Sequence, residues 1–127
     1  MTTYEIDVPL WKGKPPLTMN QRLHWRQRAE RTRVTRHAVG IRAVALHLAP
    51  ADHVSVQLHY ASGDNRRRDT DNLVATLKPC VDGLVDAGLV VDDDPAHVTT
   101  IMPTIHNGPG SRRLWITIHI SSPEARP

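Results

Sequence analysis

Val54-Ser55-Val56-Gln57-Leu58-His59-Tyr60 is the stretch on which the fold turns. Side chains alternate along an extended chain, so Val54, Val56, Leu58 and Tyr60 share one side and Ser55, Gln57 and His59 the other. The segment from His53 to Tyr60 therefore predicts a half-buried strand. Downstream, residues 61 to 68 form a polar loop, and the period then changes. Leu73, Leu77, Cys80 or Val81, and Leu84 recur at helical spacing, and Ala87-Gly88 supplies a stop. Pro79 lies inside that helix and is expected to weaken or kink it. Asp92, Asp93 and Asp94 then form a turn. Val98 to Ile105 predicts another strand, and so do Leu114, Ile116, Ile118 and Ile120, with the turn residues Asn107-Gly108-Pro109-Gly110 between them.

Upstream of the first strand, Val34, Ala38, Ile41, Ala45 and Leu48 are spaced by four and three, which predicts the buried face of a helix ending at Ala49-Pro50. Its periodicity is clean only after Arg31, so the part from Gln21 to Arg31 is expected to be partly loop. Gly13, Pro15 and Pro16 mark an earlier loop. Tyr4, Ile6, Val8 and Leu10 alternate with polar residues or proline, which predicts an edge strand. The order strand, helix, strand, helix, strand, strand predicts an α+β fold: a single mixed β-sheet of about four strands carrying two helices. It occupies one domain, residues 1–121, with a disordered tail at 122–127.

The chain has 127 residues, enough for one core, and no Phe, so that core must come from Val, Leu, Ile and Ala. Cys80 is the sole cysteine and cannot form an internal disulfide, which suits a reducing cytoplasm. Glu5, Asp7 and three prolines rule out a signal peptide in the first twenty residues, and no apolar run approaches the roughly 20 residues of a membrane span. No two of the eight histidines are spaced as a zinc motif, so they read as surface or hydrogen-bonded residues. Phosphate-loop, dinucleotide and nucleophile-elbow motifs are also missing from the sequence.

The charge is unevenly distributed. Nine lysines and arginines lie between Lys12 and Arg42 with Glu30 as the only acid, whereas eight acids lie between Asp64 and Asp94. A basic region attracts a polyanion, and an acidic cluster beside it repels that polyanion unless the acids hold cations. The acids begin in Arg66-Arg67-Arg68-Asp69-Thr70-Asp71-Asn72-Leu73. Helix capping accounts for one aspartate of this pair, not for two. It leaves the second acidic turn, 92–94, without a role. If both stretches converge they form an oxygen-rich site, the donor set that Mg²⁺ or Mn²⁺ prefers. Lys78 stands seven residues beyond Asp71, two turns along nearly the same azimuth, where a cation can face a phosphate; a plain ion pair with Asp82 is the competing reading.

These residues also carry a resemblance. Arg66-Arg-Arg-Asp-Thr-Asp-Asn-Leu73, Lys78-Pro79, Asp82-Gly-Leu-Val-Asp-Ala-Gly-Leu89 and Val90-Val-Asp-Asp93 together resemble the signature of RusA-family Holliday junction resolvases. The specific part spans residues 66 to 98. The resemblance implies a RusA-like fold and a homodimeric, Mg²⁺-dependent endonuclease that nicks four-way DNA junctions symmetrically, leaving a 5′-phosphate and a 3′-hydroxyl. It implies metal ligation by Asp69, Asp71 and Asp93, with Asp92 second to Asp93, a catalytic Lys78, and a DNA contact at Asn20. One departure is visible: the family's lysine often follows the second aspartate by four residues, here by seven. The insertion keeps the helical face and adds about 4.5 Å along the axis.

On this reading Arg22, Arg26, Arg33, Arg36, Arg66, Arg67 and Arg68 track DNA phosphates, and His24 and Trp25 can stack on exposed bases. The expected location is cytoplasmic, in the host cell if the protein is phage-encoded, with no membrane partner. Two other functions fit the same residues: a non-catalytic branched-DNA-binding module, and a nuclease acting on flaps or forks.

Overall fold

Four strands and two helices follow one another in a computed structural model that describes residues 2–19 and 22–120. They are β1 (Thr2–Asp7), α1 (Trp25–Ala45), β2 (Val54–Ala61), α2 (Val74–Asp86), β3 (Val98–His106) and β4 (Arg113–Ile120), with a 3₁₀ turn at Thr70–Leu73 leading into α2. Asn20 and the expected tail, 122–127, lie outside the described residues. No helix among those residues is long and apolar enough to cross a membrane.

The strands make one mixed sheet in the order β1-β4-β2-β3. β4 is antiparallel to both β1 and β2, and β2 is parallel to β3. A parallel pair needs a long crossover, and here the stretch from Ser62 to His97, including α2, provides it. Alternation puts Val54, Val56, Leu58 and Tyr60 of β2 into the core beside Leu114, Ile116 and Ile118 of β4, all under the helices. The expected edge position of β1 is observed. The turn at 107–110 does not close a hairpin, because β2 lies between the two strands that it connects. The opposite face of the sheet is polar, and there His59, His106 and Trp115 stack on one another with ring centroids 5.1–5.2 Å apart.

The helix expectations need two corrections. Helix α1 starts at Trp25, so most of the region expected to be partly loop is helical, and it ends at Ala45, before Leu48. Its buried residues are Thr35, Val39, Gly40 and Ala43, whereas Ile41 and Val44 are more than half exposed. At 3.6 residues per turn, this is nearly the opposite side of the axis from the predicted stripe. The reason is close backbone contact with α2. A β-carbon on Gly83 would stand 2.6 Å from the Arg36 carbonyl oxygen, and one on Gly40 would stand 3.4 Å from the Gly83 carbonyl oxygen. Only small residues fit at the closest point of such a crossing, with Val39 packed beside it, and Ile41 and Val44 turn away.

Helix α2 runs through Pro79 and buries the predicted Leu77, Cys80, Val81 and Leu84. It stops where expected. Gly88, at φ 79°, donates from its N–H to the Val85 carbonyl, and Leu89 donates to that of Leu84. That pair of bonds is a Schellman end, which needs a left-handed residue at the glycine.

Candidate metal and nucleic-acid site

The segment that carries Asp69 and Asp71 leaves β2 and is braced by Asp64. The Asp64 carboxylate accepts from the Arg66 backbone N–H at 3.0 Å and from the Arg68 guanidinium at 2.5 and 3.1 Å. The Arg68 hydrogen bonds, reinforced by that of Arg66, hold the Asp64 carboxyl well below the usual carboxylate range. Asp69 then takes an extended conformation immediately before the 3₁₀ turn. Its carbonyl accepts the Asn72 N–H, but its carboxylate makes no capping bond. Among the described residues, no hydrogen bond or ion pair engages the Asp69 or Asp71 carboxylate, and both residues are exposed. Capping is thus not what these two acids do.

A loop from the N-terminal half lies against this segment. Trp11 and Lys14 exchange backbone hydrogen bonds across Lys12 and Gly13, both at positive φ, as in a tight hairpin turn. Pro15, Pro16 and Leu17 are buried, and Thr76 clamps them to α2. Its hydroxyl donates to the Leu17 carbonyl at 2.6 Å and accepts the Leu17 N–H at 3.3 Å. The Met19 N–H donates to the Asn72 carbonyl. Lys14 is thereby held across from Asp69, and both line one recess with Arg66, Arg68 and Arg112.

The acidic turn comes back to α2 at Lys78. Asp93 pairs with the Lys78 ammonium, which also reaches Asp82 at 3.0 Å. The Asp93 hydrogen bond, then that of Asp82, raises the pKa of Lys78, while the Lys78 hydrogen bond lowers that of Asp93. Asp92 accepts the Asp93 N–H at 2.7 Å. Asp94 anchors the start of β3, its carbonyl accepting the N–H groups of His97 and Val98. Lys78 stands about 10 Å along the helical rise from Asp71. Among the described residues, no three His, Cys, Asp or Glu side chains gather as a metal-ligand group. The structure therefore brings Asp93 to Lys78, and does not gather it with Asp69 and Asp71 into one ligand set. The expected Lys78–Asp82 contact exists together with the Asp93 contact.

The arginines divide in a similar way. Arg36 grips Asp86 with two hydrogen bonds, at 2.6 and 2.7 Å, and ties α1 to α2. Arg33 pairs with Glu30 at 2.7 Å, and Arg68 is taken up by Asp64. Arg22, Arg66 and Arg67 are exposed. Trp25 is 68% exposed at the start of α1, with the Arg26 guanidinium 5.2 Å from its ring centroid and His24 beside it.

Lys14, Thr76 and Arg112 escaped sequence reasoning. They lie in three separate segments, and only the strand order, with β4 next to β2, brings 14 and 112 to the 66–69 segment. Gly13 and Gly63 were the available signal. Both have positive φ, and a β-carbon on either would press on the Arg112 side chain, at 2.9 and 3.3 Å. Comparison of the sequence with protein-family models and with curated proteins finds no match in either.

Proposed function

We propose that the protein is a divalent-metal-dependent endonuclease for branched DNA, of the kind that the RusA-like signature at 66–98 implies. The observation that carries this reading is that the Asp69 and Asp71 carboxylates are exposed and unengaged, with Asp69 lining a recess of cations. Two exposed carboxylates that cap nothing and pair with nothing weaken binding of a polyanion, yet one of them, Asp69, stands beside Lys14, Arg66 and Arg112. A cation between the acids and a phosphate removes that conflict.

The donor chemistry fits. Mg²⁺ commonly uses one or two carboxylates and completes its shell with waters and substrate phosphate, so Asp69 and Asp71 suffice to hold it without a third protein ligand. An ion held there supplies an activated water and offsets charge on the leaving oxygen in phosphodiester hydrolysis. The remaining work falls to this chain's own groups. Arg66, Arg67 and Lys14 attract and orient the backbone. Lys78, held between Asp93 and Asp82, offers a cation to a phosphate that passes the acidic turn. A homodimer with two such sites suits paired nicks in a two-fold junction. The cytoplasm is the compartment in which that substrate is met.

The test mixes purified protein with a labelled four-way junction, a flap and a linear duplex, with Mg²⁺ or with EDTA. Nicking of the junction in Mg²⁺ alone is the expected result. Preferred cutting of the flap would reassign the substrate, and tight binding without nicking in any metal would make the protein a binding module.

A further inference from the structure

The recess between the Trp11–Lys14 turn and the Arg66–Asp69 segment is larger than a phosphate contact requires. It measures about 380 Å³, within the usual range for small-molecule sites. Its walls are of two kinds. Lys14, Arg66 and Arg112 provide cations, while half-buried Ile105, backed by the buried Pro15 and Leu73, provides apolar surface. Arg68 also faces the recess, but Asp64 neutralises it. No ion pair among the described residues occupies Lys14, Arg66 or Arg112, so the recess keeps a net positive charge against its one acid, Asp69.

Arg112 is placed with care. Its Nη1 donates to the Gly13 carbonyl at 3.2 Å, and its side chain passes between Gly13 and Gly63, where a β-carbon on either would crowd it. Both glycines are at positive φ, so two turns combine to aim one exposed cation at the recess. The Tyr60 hydroxyl donates to the same Gly13 carbonyl at 3.4 Å and closes the floor.

We infer that this recess binds one nucleotide of the DNA strand. Its phosphate faces Lys14, Arg66 and Arg112, and its base or sugar lies against Ile105, over the buried Pro15 and Leu73. A bare phosphate leaves the apolar wall unused, and a nucleoside alone leaves three cations unpaired. A nucleotide displaced from the stack at a branch point uses both. Only the origin of that nucleotide, in a DNA strand, rests on the nuclease reading. The recess itself does not.

Thymidine 5′-monophosphate, thymidine and inorganic phosphate, each titrated into the full chain with amide chemical shifts as the readout, test the inference. Saturable binding of the monophosphate is expected, at least about tenfold tighter than either fragment and centred on residues 14, 66, 73 and 112. Arg112→Ala and Lys14→Ala, both at exposed positions, should each weaken it about tenfold, since each removes a charged hydrogen bond. Arg113→Ala, whose side chain pairs with Glu5 and Asp7 on the far face, should leave it unchanged. Phosphate binding as tightly as the monophosphate, or a monophosphate affinity untouched by Arg112→Ala and Lys14→Ala, would overturn the proposal. Junction nicking without monophosphate binding would sink this inference alone. Monophosphate binding without nicking of any DNA would leave it standing and sink the nuclease reading.

Discussion

Asp86 and Asp71 are both exposed aspartates, one at the end of α2 and the other just before its start, and the fold treats them oppositely. Asp86 is gripped by Arg36, and Asp82 and Asp93 share Lys78, so these three acids along and after α2 are matched by cations. Among the described residues, neither the Asp69 nor the Asp71 carboxylate is in contact with a cation, although Asp69 shares a recess with Lys14, Arg66 and Arg112. Ion pairs at a surface add little stability, so the matched acids chiefly fix how neighbouring segments lie. An acid pair left unmatched beside basic residues retains its capacity to bind something else. On the proposed reading, the number of acids does not mark the site; the acids left uncommitted do.

The largest expected effect comes from removing one uncommitted acid. Asp71→Asn should lower junction cutting by on the order of a hundredfold or more, the scale of losing one preorganised electrostatic contact, with DNA binding retained. Its urea midpoint should match the parent's, because the carboxylate has no protein partner to lose. A clear loss of stability would place Asp71 with the structural acids instead.

Next in size is a test of what holds the helix layer together. Gly83→Ala puts a β-carbon 2.6 Å from the Arg36 carbonyl oxygen and should cost about 1–3 kcal/mol, as overpacking does. Gly40→Ala meets only a 3.4 Å contact and gains helix propensity, so its denaturation midpoint should stay near the parent's. Equal effects from the two would mean that the crossing does not rest on Gly83.

The smallest effect belongs to a committed acid. The Arg36 hydrogen bonds lower the Asp86 pKa from its ordinary 3.8. A depressed carboxylate contributes stability that is present above the unfolded value and is lost as pH falls through the folded one. Asp86→Asn should therefore lower the midpoint slightly at neutral pH, flatten its decline below about pH 4, and leave cutting unchanged. A cutting defect in this variant would break the division between the two groups of acids.

The sheet was readable because β2 and β4 alternate strictly, so period alone gave their inward faces. Helix α2 was readable because its apolar residues lie on one side and Gly88 ends it. Helix α1 misled because its burial is set by two glycines touching across a helix crossing, which apolar spacing does not register. The order β1-β4-β2-β3 was not legible either, because the turn at 107–110 looks the same whether it closes a hairpin or passes over β2. The aspartates and Arg66 were found from local pattern. Lys14 and Arg112, which complete the basic recess, depend on that strand order and left no mark in spacing.

Mn²⁺ titration followed by paramagnetic broadening of backbone amides examines the central claim without any DNA. The account expects the first resonances to broaden to be those of residues 68 to 73, with the effect abolished in Asp69→Asn and in Asp71→Asn and Asp86→Asn behaving like the parent. Broadening that begins elsewhere, or that persists when both Asp69 and Asp71 are neutralised, would contradict it.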